Sequence, residues 1–185
     1  MNECANDTVI ETRMPIDQLK EIRSWVSSIQ DLDKTLELII RSASRFLNAK
    51  AASLLLLDQK TKELYFKVAT GAKGQAIKEF RIKPGQGIAG YVASQGESLL
   101  IPDVTRDPRW YKEISESIGF ETRSIACVPL KLEDHVIGVA QIIDKNDGST
   151  ISEAEVEPLS EFADLAAQAI GSAQKFEDVR RENEG

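Results

Sequence analysis

The sequence contains few of the residues on which several classes of protein depend. Its 185 residues include two cysteines, Cys4 in a polar tail and Cys127 in an apolar segment, so no disulfide framework is predicted. No uninterrupted apolar run exceeds the four residues Leu54 to Leu57, whereas a membrane span needs about 20. The stretch from Met1 to Arg13 is polar and lacks the apolar core of a signal peptide. We therefore expect a cytoplasmic protein with no membrane partner.

Positive charge and histidine are also scarce. Lysine and arginine number 23 against 30 aspartates and glutamates, giving a net charge of −7. This balance disfavours nucleic acid and anionic lipid as partners. The one histidine, His135, lies in a predicted turn away from both cysteines, so we expect neither a metal centre nor a covalently attached tetrapyrrole.

The composition that remains is that of a single globular domain with helical extensions. Residues 1–14 are predicted to form a flexible tail. A narrow apolar stripe then predicts a helix over residues 15–31, formed by Ile16, Leu19, Ile22, Val26 and Ile29. This helix either lies on its own domain or forms the seam of a dimer.

The middle of the chain reads as a sheet of short strands between helices. A second stripe from Leu36 to Leu47 predicts a helix. Apolar runs and polar–apolar alternation predict strands at residues 51–57, 63–68, 80–82, 98–101, 125–130 and 136–143. Because short turns join most neighbours, the strands must be antiparallel, and the terminal helices must share one face of the sheet.

Capping residues place the other helices. A short helix follows Pro84 and Gly85. Asp107, followed by a proline, is expected to cap a helix that carries Trp110 and Tyr111. The last helix begins at Ser152 with a capping box completed by Glu155, and Pro158 is expected to kink it or restart it.

Five segments in this order resemble the GAF domain family, over residues 32–175. They are the turn Pro84–Gly90, the loop Ile101–Arg109, the strands Arg123–Leu130 and Val136–Ile142, and Asp144–Gly148 before the last helix. The resemblance implies an α/β (α+β) fold related to PAS domains. It has a six-stranded antiparallel sheet with the N- and C-terminal helices on one face, and short helices and loops over a pocket on the other. It also implies a homodimer through the terminal helices, with residues 176–185 as a helical linker to an output domain.

Cyclic-nucleotide-binding members of this family carry the signature Asn-Lys, then Phe, then Asp-Glu. The corresponding residues here are Asp144, Lys145, Ile151, Glu155 and Val156, of which only Lys145 matches. We therefore expect Lys145 and Glu155 to form a structural ion pair. The ligand stays open between a cyclic nucleotide and another small molecule.

Seven residues are candidates for the pocket that the resemblance implies. They are Trp110, Tyr111, Ile114, Phe120, Arg123, Ser124 and Cys127. Aromatic rings with one cation suit a planar or anionic ligand, and we expect Arg123 to contact it. The alternative is a filled core beneath a mobile lid.

The sequence as a whole predicts a sensory or regulatory domain, not an enzyme, in a bacterial signalling protein. It would bind a small molecule, dimerise through helices, or do both, and so control an attached output domain. One alternative is a free methionine sulfoxide reductase that uses Cys127, although such chemistry needs a low-pKa thiolate and a resolving thiol. The other is a dimerisation module without a ligand.

Overall fold

The computed structural model describes residues 31–184, so the predicted tail over 1–14 and the helix over 15–31 fall outside the described residues, apart from Asp31. The elements in chain order are α1 (Leu32–Phe46), β1 (Ala49–Leu57), β2 (Leu64–Ala69), α2 (Gly74–Ile77), β3 (Arg81–Ile82), α3 (Gly87–Gln95), β4 (Leu99–Ile101), a 3-10 turn (Val104–Arg106), α4 (Lys112–Ile118), β5 (Ile125–Leu132), β6 (His135–Lys145) and α5 (Glu153–Glu184).

The six strands form one sheet in the order β3-β2-β1-β6-β5-β4, and every neighbouring pair is antiparallel. This confirms the predicted fold class. The β5–β6 hairpin turns on Glu133 and Asp134, with a left-handed φ of 56° at Glu133. His135, expected within the turn, instead begins β6.

Alternation along the strands builds two apolar layers. Leu54 of β1 and Ile142 of β6 face the layer that contains α1 and α5. Their neighbours Leu55 and Ile143 face the layer that contains α3 and Ile114 of α4. The terminal helices therefore share one face of the sheet, as predicted, and the short helices cover the other.

Side-chain caps start both terminal helices. Asp31 accepts a hydrogen bond from the backbone N–H of Lys34 at 3.3 Å, which caps α1. Glu155 accepts one from the N–H of Ser152 at 2.7 Å, as expected of a capping box at α5. Of the two effects expected of Pro158, a kink or a restart, the restart is wrong, because α5 continues unbroken to Glu184. Pro158 removes one backbone hydrogen bond, while Leu159 and Phe162 just beyond it are buried in the core.

The expected helix cap at Asp107 is also wrong, since α4 begins only at Lys112. Asp107 follows the 3-10 turn and accepts hydrogen bonds from the backbone N–H of Arg109 at 2.9 Å and from its guanidinium group at 2.9 and 2.6 Å. These bonds, with the one that the N–H of Trp110 donates to the carbonyl oxygen of Asp107 at 3.0 Å, fix residues 107–110 as a turn. Within residues 31–184, no helix combines the length and the apolar character that crossing a membrane requires.

Candidate functional site

Two adjoining cavities lie between the sheet and the short helices α2, α3 and α4. Their volumes are about 60 and 40 Å³, and they share Ile77 of α2, Ser115 of α4 and Ile143 of β6 as lining residues. We call the two together the groove. Ligand pockets commonly measure about 300 to 1,000 Å³. Entry of a ligand larger than a few water molecules therefore requires one of the covering helices α2, α3 and α4 to move away from the sheet.

Apolar and aromatic side chains form most of the groove. Trp110, Tyr111 and Ile114 line the larger cavity, and Phe120 lines the smaller one. The structure thus brings four of the seven predicted pocket residues together. Lys73 is the only charged side chain among the described residues that line the groove, so its interior suits an uncharged ring.

A polar pair that no local sequence pattern predicts interrupts this apolar lining. Ser53 of β1 and Gln141 of β6 are register partners, and the Nε2 of Gln141 donates to the Oγ of Ser53 at 3.0 Å. They are 5 % and 7 % exposed, and Gln141 lines the larger cavity while Ser53 lines the smaller. A glutamine amide and a hydroxyl offer more hydrogen bonds than this one contact uses, so the pair has capacity for a polar ligand edge.

Arg123 and Ser124 do not join the groove. They line a separate cavity of about 30 Å³ with Asp144 and Lys145, and this cavity shares no lining residue with the groove. The cause is the carboxylate of Asp144, which accepts hydrogen bonds from the N–H groups of Arg123 at 3.0 Å and Ser124 at 2.8 Å. These bonds hold both residues at the sheet end where β6 finishes. The expected contact between Arg123 and a ligand among the aromatic rings has no support in this placement.

Cys127 lies within β5, fully buried, and pairs in register with Gln141. It is in the apolar layer on the groove side but lines neither cavity. Burial raises the pKa of its thiol far above the usual range. A group in this state is a small apolar filler, not a nucleophile.

An arginine stack holds the turn that leads into α4. The guanidinium of Arg109 lies 4.7 Å from the ring centre of Tyr91 on α3 and forms an ion pair with Asp107 at 2.6 Å. The hydrogen bonds that Arg109 donates hold the pKa of Asp107 below its usual value. This stack anchors the turn beside Trp110 and Tyr111, so it fixes one end of the groove's cover.

Lys145 and Glu155 form the ion pair that the sequence predicts. The Nζ–Oε1 distance is 2.6 Å, and the side chains are only 17 % and 13 % exposed. The pair joins the end of β6 to the first turn of α5. Among residues 31–184, no group of three or more histidine, cysteine or carboxylate side chains is placed to hold a metal ion.

Two relatives of the chain are named as cyclic-nucleotide phosphodiesterases. It is 32 % identical over 168 residues to a protein of Caenorhabditis elegans named probable 3′,5′-cyclic phosphodiesterase pde-5, covering 86 % of this chain and 23 % of that protein. It is 31 % identical over 191 residues to the dual 3′,5′-cyclic-AMP and -GMP phosphodiesterase 11 of Drosophila melanogaster, covering 92 % of this chain and 13 % of that protein. The chain thus spans less than a quarter of the length of these relatives.

Solved structures share the fold at low identity. The GAF domain of a phosphoenolpyruvate-protein phosphotransferase from Coxiella burnetii matches with a TM-score of 0.78 at 20 % identity, over 93 % of this chain and 99 % of that one. A free methionine-R-sulfoxide reductase from Neisseria meningitidis matches with a TM-score of 0.74 at 19 % identity, over 95 % of this chain and 99 % of that one.

The model of the GAF domain family matches residues 31–170, which contain the whole sheet, the groove and the start of α5. The six-stranded antiparallel sheet with terminal helices on one face agrees with that match. This chain belongs to the GAF domain family.

Proposed function

We propose that this chain is a regulatory module that senses a small molecule in the groove and transmits the result through α1 and α5 to an attached output domain. The observation that carries the proposal is the groove itself, an aromatic space with one buried polar pair beneath three short helices. Movement of these helices on ligand entry would alter the sheet against which the terminal helices pack. We place the module in the cytoplasm, as its sparse cysteines suggest.

The relatives support a role inside a larger protein. The two phosphodiesterases are several times longer than the stretch they share with this chain, which covers 23 % and 13 % of their lengths. By analogy, the output of this chain is an enzyme or another signalling domain. Cyclic nucleotides are the first ligands to test. Only Lys145 matches the family's nucleotide signature, whereas Asp144, Ile151, Glu155 and Val156 depart from it, so other planar metabolites are tested as well.

A thermal-shift screen tests the sensor proposal. The chain is heated with cyclic AMP, cyclic GMP and a panel of planar metabolites, alone and as the Gln141→Leu variant, which removes the amide in the groove. Arg123→Ala is the matched control, because Arg123 lies outside the groove. A sensor predicts a ligand whose stabilisation is lost in Gln141→Leu and kept in Arg123→Ala. The absence of any stabilising ligand, or equal loss in both variants, contradicts the proposal.

The proposal includes a homodimer through the terminal helices. Phe176 and Val179 support it, since they lie three residues apart on α5 and are 72 % and 55 % exposed. Sedimentation of the chain should give twice the monomer mass. A Phe176→Glu, Val179→Glu double variant should sediment as a monomer, while Asp178→Lys, a nearby exposed change, should remain dimeric. A monomeric wild-type chain would rule out this part of the proposal.

A regulatory role is favoured over the alternative, catalysis as a sulfoxide reductase. The fold resembles that of a free methionine-R-sulfoxide reductase. The described part of the chain nevertheless contains no reactive thiol, because Cys127 is fully buried and its pKa is raised. The direct test incubates the chain with free methionine sulfoxide, thioredoxin and its reductase. No turnover is expected, and turnover that disappears in Cys127→Ala would establish the enzyme instead.

A further inference from the structure

Residues 105–122 form a loop that leaves the sheet after β4 and returns to it before β5. The loop is closed at its base, where the N–H of Val104 donates to the carbonyl oxygen of Arg123 at 2.8 Å. Within residues 31–184, no backbone hydrogen bond joins residues 107–122 to the chain outside 104–123. The loop carries α4, and Ile114 is its only buried residue. Side-chain contacts therefore hold the loop against the rest of the domain.

The other two covering helices are held through close backbone contacts. On α3, a Cβ atom at Gly90 would lie 2.8 Å from the carbonyl oxygen of Lys83, and four of the nine helical residues are buried. On α2, a Cβ atom at Gly74 would lie 2.6 Å from the carbonyl oxygen of Ala69 at the end of β2. Backbones this close have no side chain between them that can rearrange. Of the three covering helices, α4 thus has the weakest attachment to the domain.

A stacked cation ties this loop to α3. The guanidinium of Arg109 lies 4.7 Å from the ring centre of Tyr91, and it donates two hydrogen bonds to Asp107 at 2.9 and 2.6 Å. Asp107 also accepts a hydrogen bond from the backbone N–H of Arg109 at 2.9 Å. The turn therefore presents the cation to the ring in one fixed orientation.

A glycine lies at the other end of α4. Gly119 follows the helix with a left-handed φ of 62°, and a Cβ atom placed on it would meet open space. Without a side chain, its backbone rotates at little cost. Such a residue at the end of a helix suits a hinge.

We propose that residues 107–118 form a lid that swings away from the sheet about Gly119 while α2 and α3 stay in place, and that the stack of Arg109 on Tyr91 is its latch. The lid carries Trp110 and three more residues that line the larger cavity, so its opening enlarges that cavity. The lid is thus the part of the cover that moves to admit a ligand. The identity of that ligand rests on the proposed function, whereas the motion belongs to the ligand-free chain.

Amide hydrogen exchange of the ligand-free chain tests the lid. A helix of seven residues is too short to be stable alone in water, so the amides of α4 exchange whenever the lid leaves the sheet. They should exchange at least about tenfold faster than those of α3. Arg109→Gln should speed exchange in α4 by about a further tenfold and leave α3 and β6 unchanged. Arg81→Gln is the matched control, because Arg81 stacks on Tyr65 at 5.4 Å on the edge strand β3, outside the lid, and should leave α4 unchanged.

The two sides of the latch should give the same result. Tyr91→Leu should speed exchange in α4 as Arg109→Gln does, and the double variant should exceed either single variant by less than about twofold, because the two side chains make one contact. Thermal unfolding checks that each variant folds.

Three results would overturn the proposal. They are equal exchange rates in α3 and α4 of the wild type, an effect of Arg109→Gln that spreads equally to α3 and β6, and multiplied effects in the double variant. The sensor role is judged separately: a chain that passes these tests and binds nothing in the thermal-shift screen keeps the lid and loses the proposed function.

Discussion

The thiol of Cys127 lies between register partners on both sides of β5, Leu99 on β4 and Gln141 on β6. Full burial keeps it neutral, because the apolar layer cannot solvate a thiolate. The same residue type would be reactive beside a cation at the surface. At the residue scale, the surroundings and not the residue type decide what a side chain can do.

The raised pKa of Cys127 predicts a loss of stability at alkaline pH. In the unfolded chain the thiol titrates at about pH 8.5. The stabilisation that comes from the raised pKa in the folded chain is therefore fully present below that pH and is lost as the pH rises towards the folded pKa. Over that range the free energy of unfolding should fall by about 1.4 kcal/mol per pH unit more steeply in the wild type than in Cys127→Ala. Urea unfolding between about pH 8 and 10 measures both. Parallel curves would show that the thiol titrates equally in the folded and unfolded chains.

At the element scale, the centre of the sheet depends on close contact between β1 and β6. A Cβ atom at Gly138 would overlap the carbonyl oxygen of Leu55 and lie 3.1 Å from the Cα of Leu56. Backbone atoms cannot yield as a side-chain end can, so Gly138→Ala should lower the free energy of unfolding by about 3 kcal/mol or more. Gly148→Ala is the control, because a Cβ atom at Gly148 would meet open space. Only the left-handed φ of 78° disfavours alanine there, and we expect this substitution to lower the free energy of unfolding by about 1 to 2 kcal/mol. If Gly138→Ala lowers the free energy of unfolding by no more than the control does, the two strands can move apart at little cost, and the prediction is wrong.

The link between β6 and α5 should depend on acid. Burial acts to raise the pKa of Glu155, but hydrogen bonds from Lys145 and Ser152 outweigh it, so the pKa lies below its usual value. Its stabilisation is therefore present above the unfolded pKa of about 4.3 and is lost as the pH falls through the folded value. Glu155→Gln should cost about 1 to 2 kcal/mol near neutral pH, between the figures for surface and buried pairs.

Urea unfolding from about pH 7 to 3 measures the difference in the free energy of unfolding between the wild type and Glu155→Gln. This difference should shrink towards zero on acidification. Glu37→Gln serves as the matched control, because Glu37 forms an exposed pair with Arg41 at 2.7 Å within one helix. A loss at Glu155 that stays constant with pH, or that equals the loss at Glu37, would contradict a stabilising role for the pair.

Elements with a long periodic pattern could be predicted from sequence, and contacts between distant strands could not. The apolar stripe from Leu36 to Leu47 and the polar–apolar alternation over β2 each indicate, from neighbouring residues alone, which face of the helix or strand is buried. The four residues of α2 are too few for any period. The Ser53–Gln141 pair joins residues 88 apart and exists only through the β1–β6 register. For the same reason, the separation of Arg123 from the aromatic residues depends on Asp144, a contact across 21 residues that no local pattern reveals.

At the scale of the whole molecule, we propose that the two faces of the sheet have different roles. One face packs the terminal helices into a continuous core, and the other carries a groove beneath short helices. A ligand in the groove would change the cover first, then the sheet, then α1 and α5. The relatives, in which this module occupies a fraction of a longer chain, fit such a relay.

Chemical-shift mapping by NMR tests this central claim most directly. The isotope-labelled chain is titrated with the compound that stabilises it most in the thermal screen. The account predicts that the largest shifts fall on the indole N–H of Trp110 and the side-chain amide of Gln141, with smaller shifts along α5. Shifts confined to the exposed surface of α5 or to the cavity at Asp144, with Trp110 and Gln141 unmoved, would contradict it.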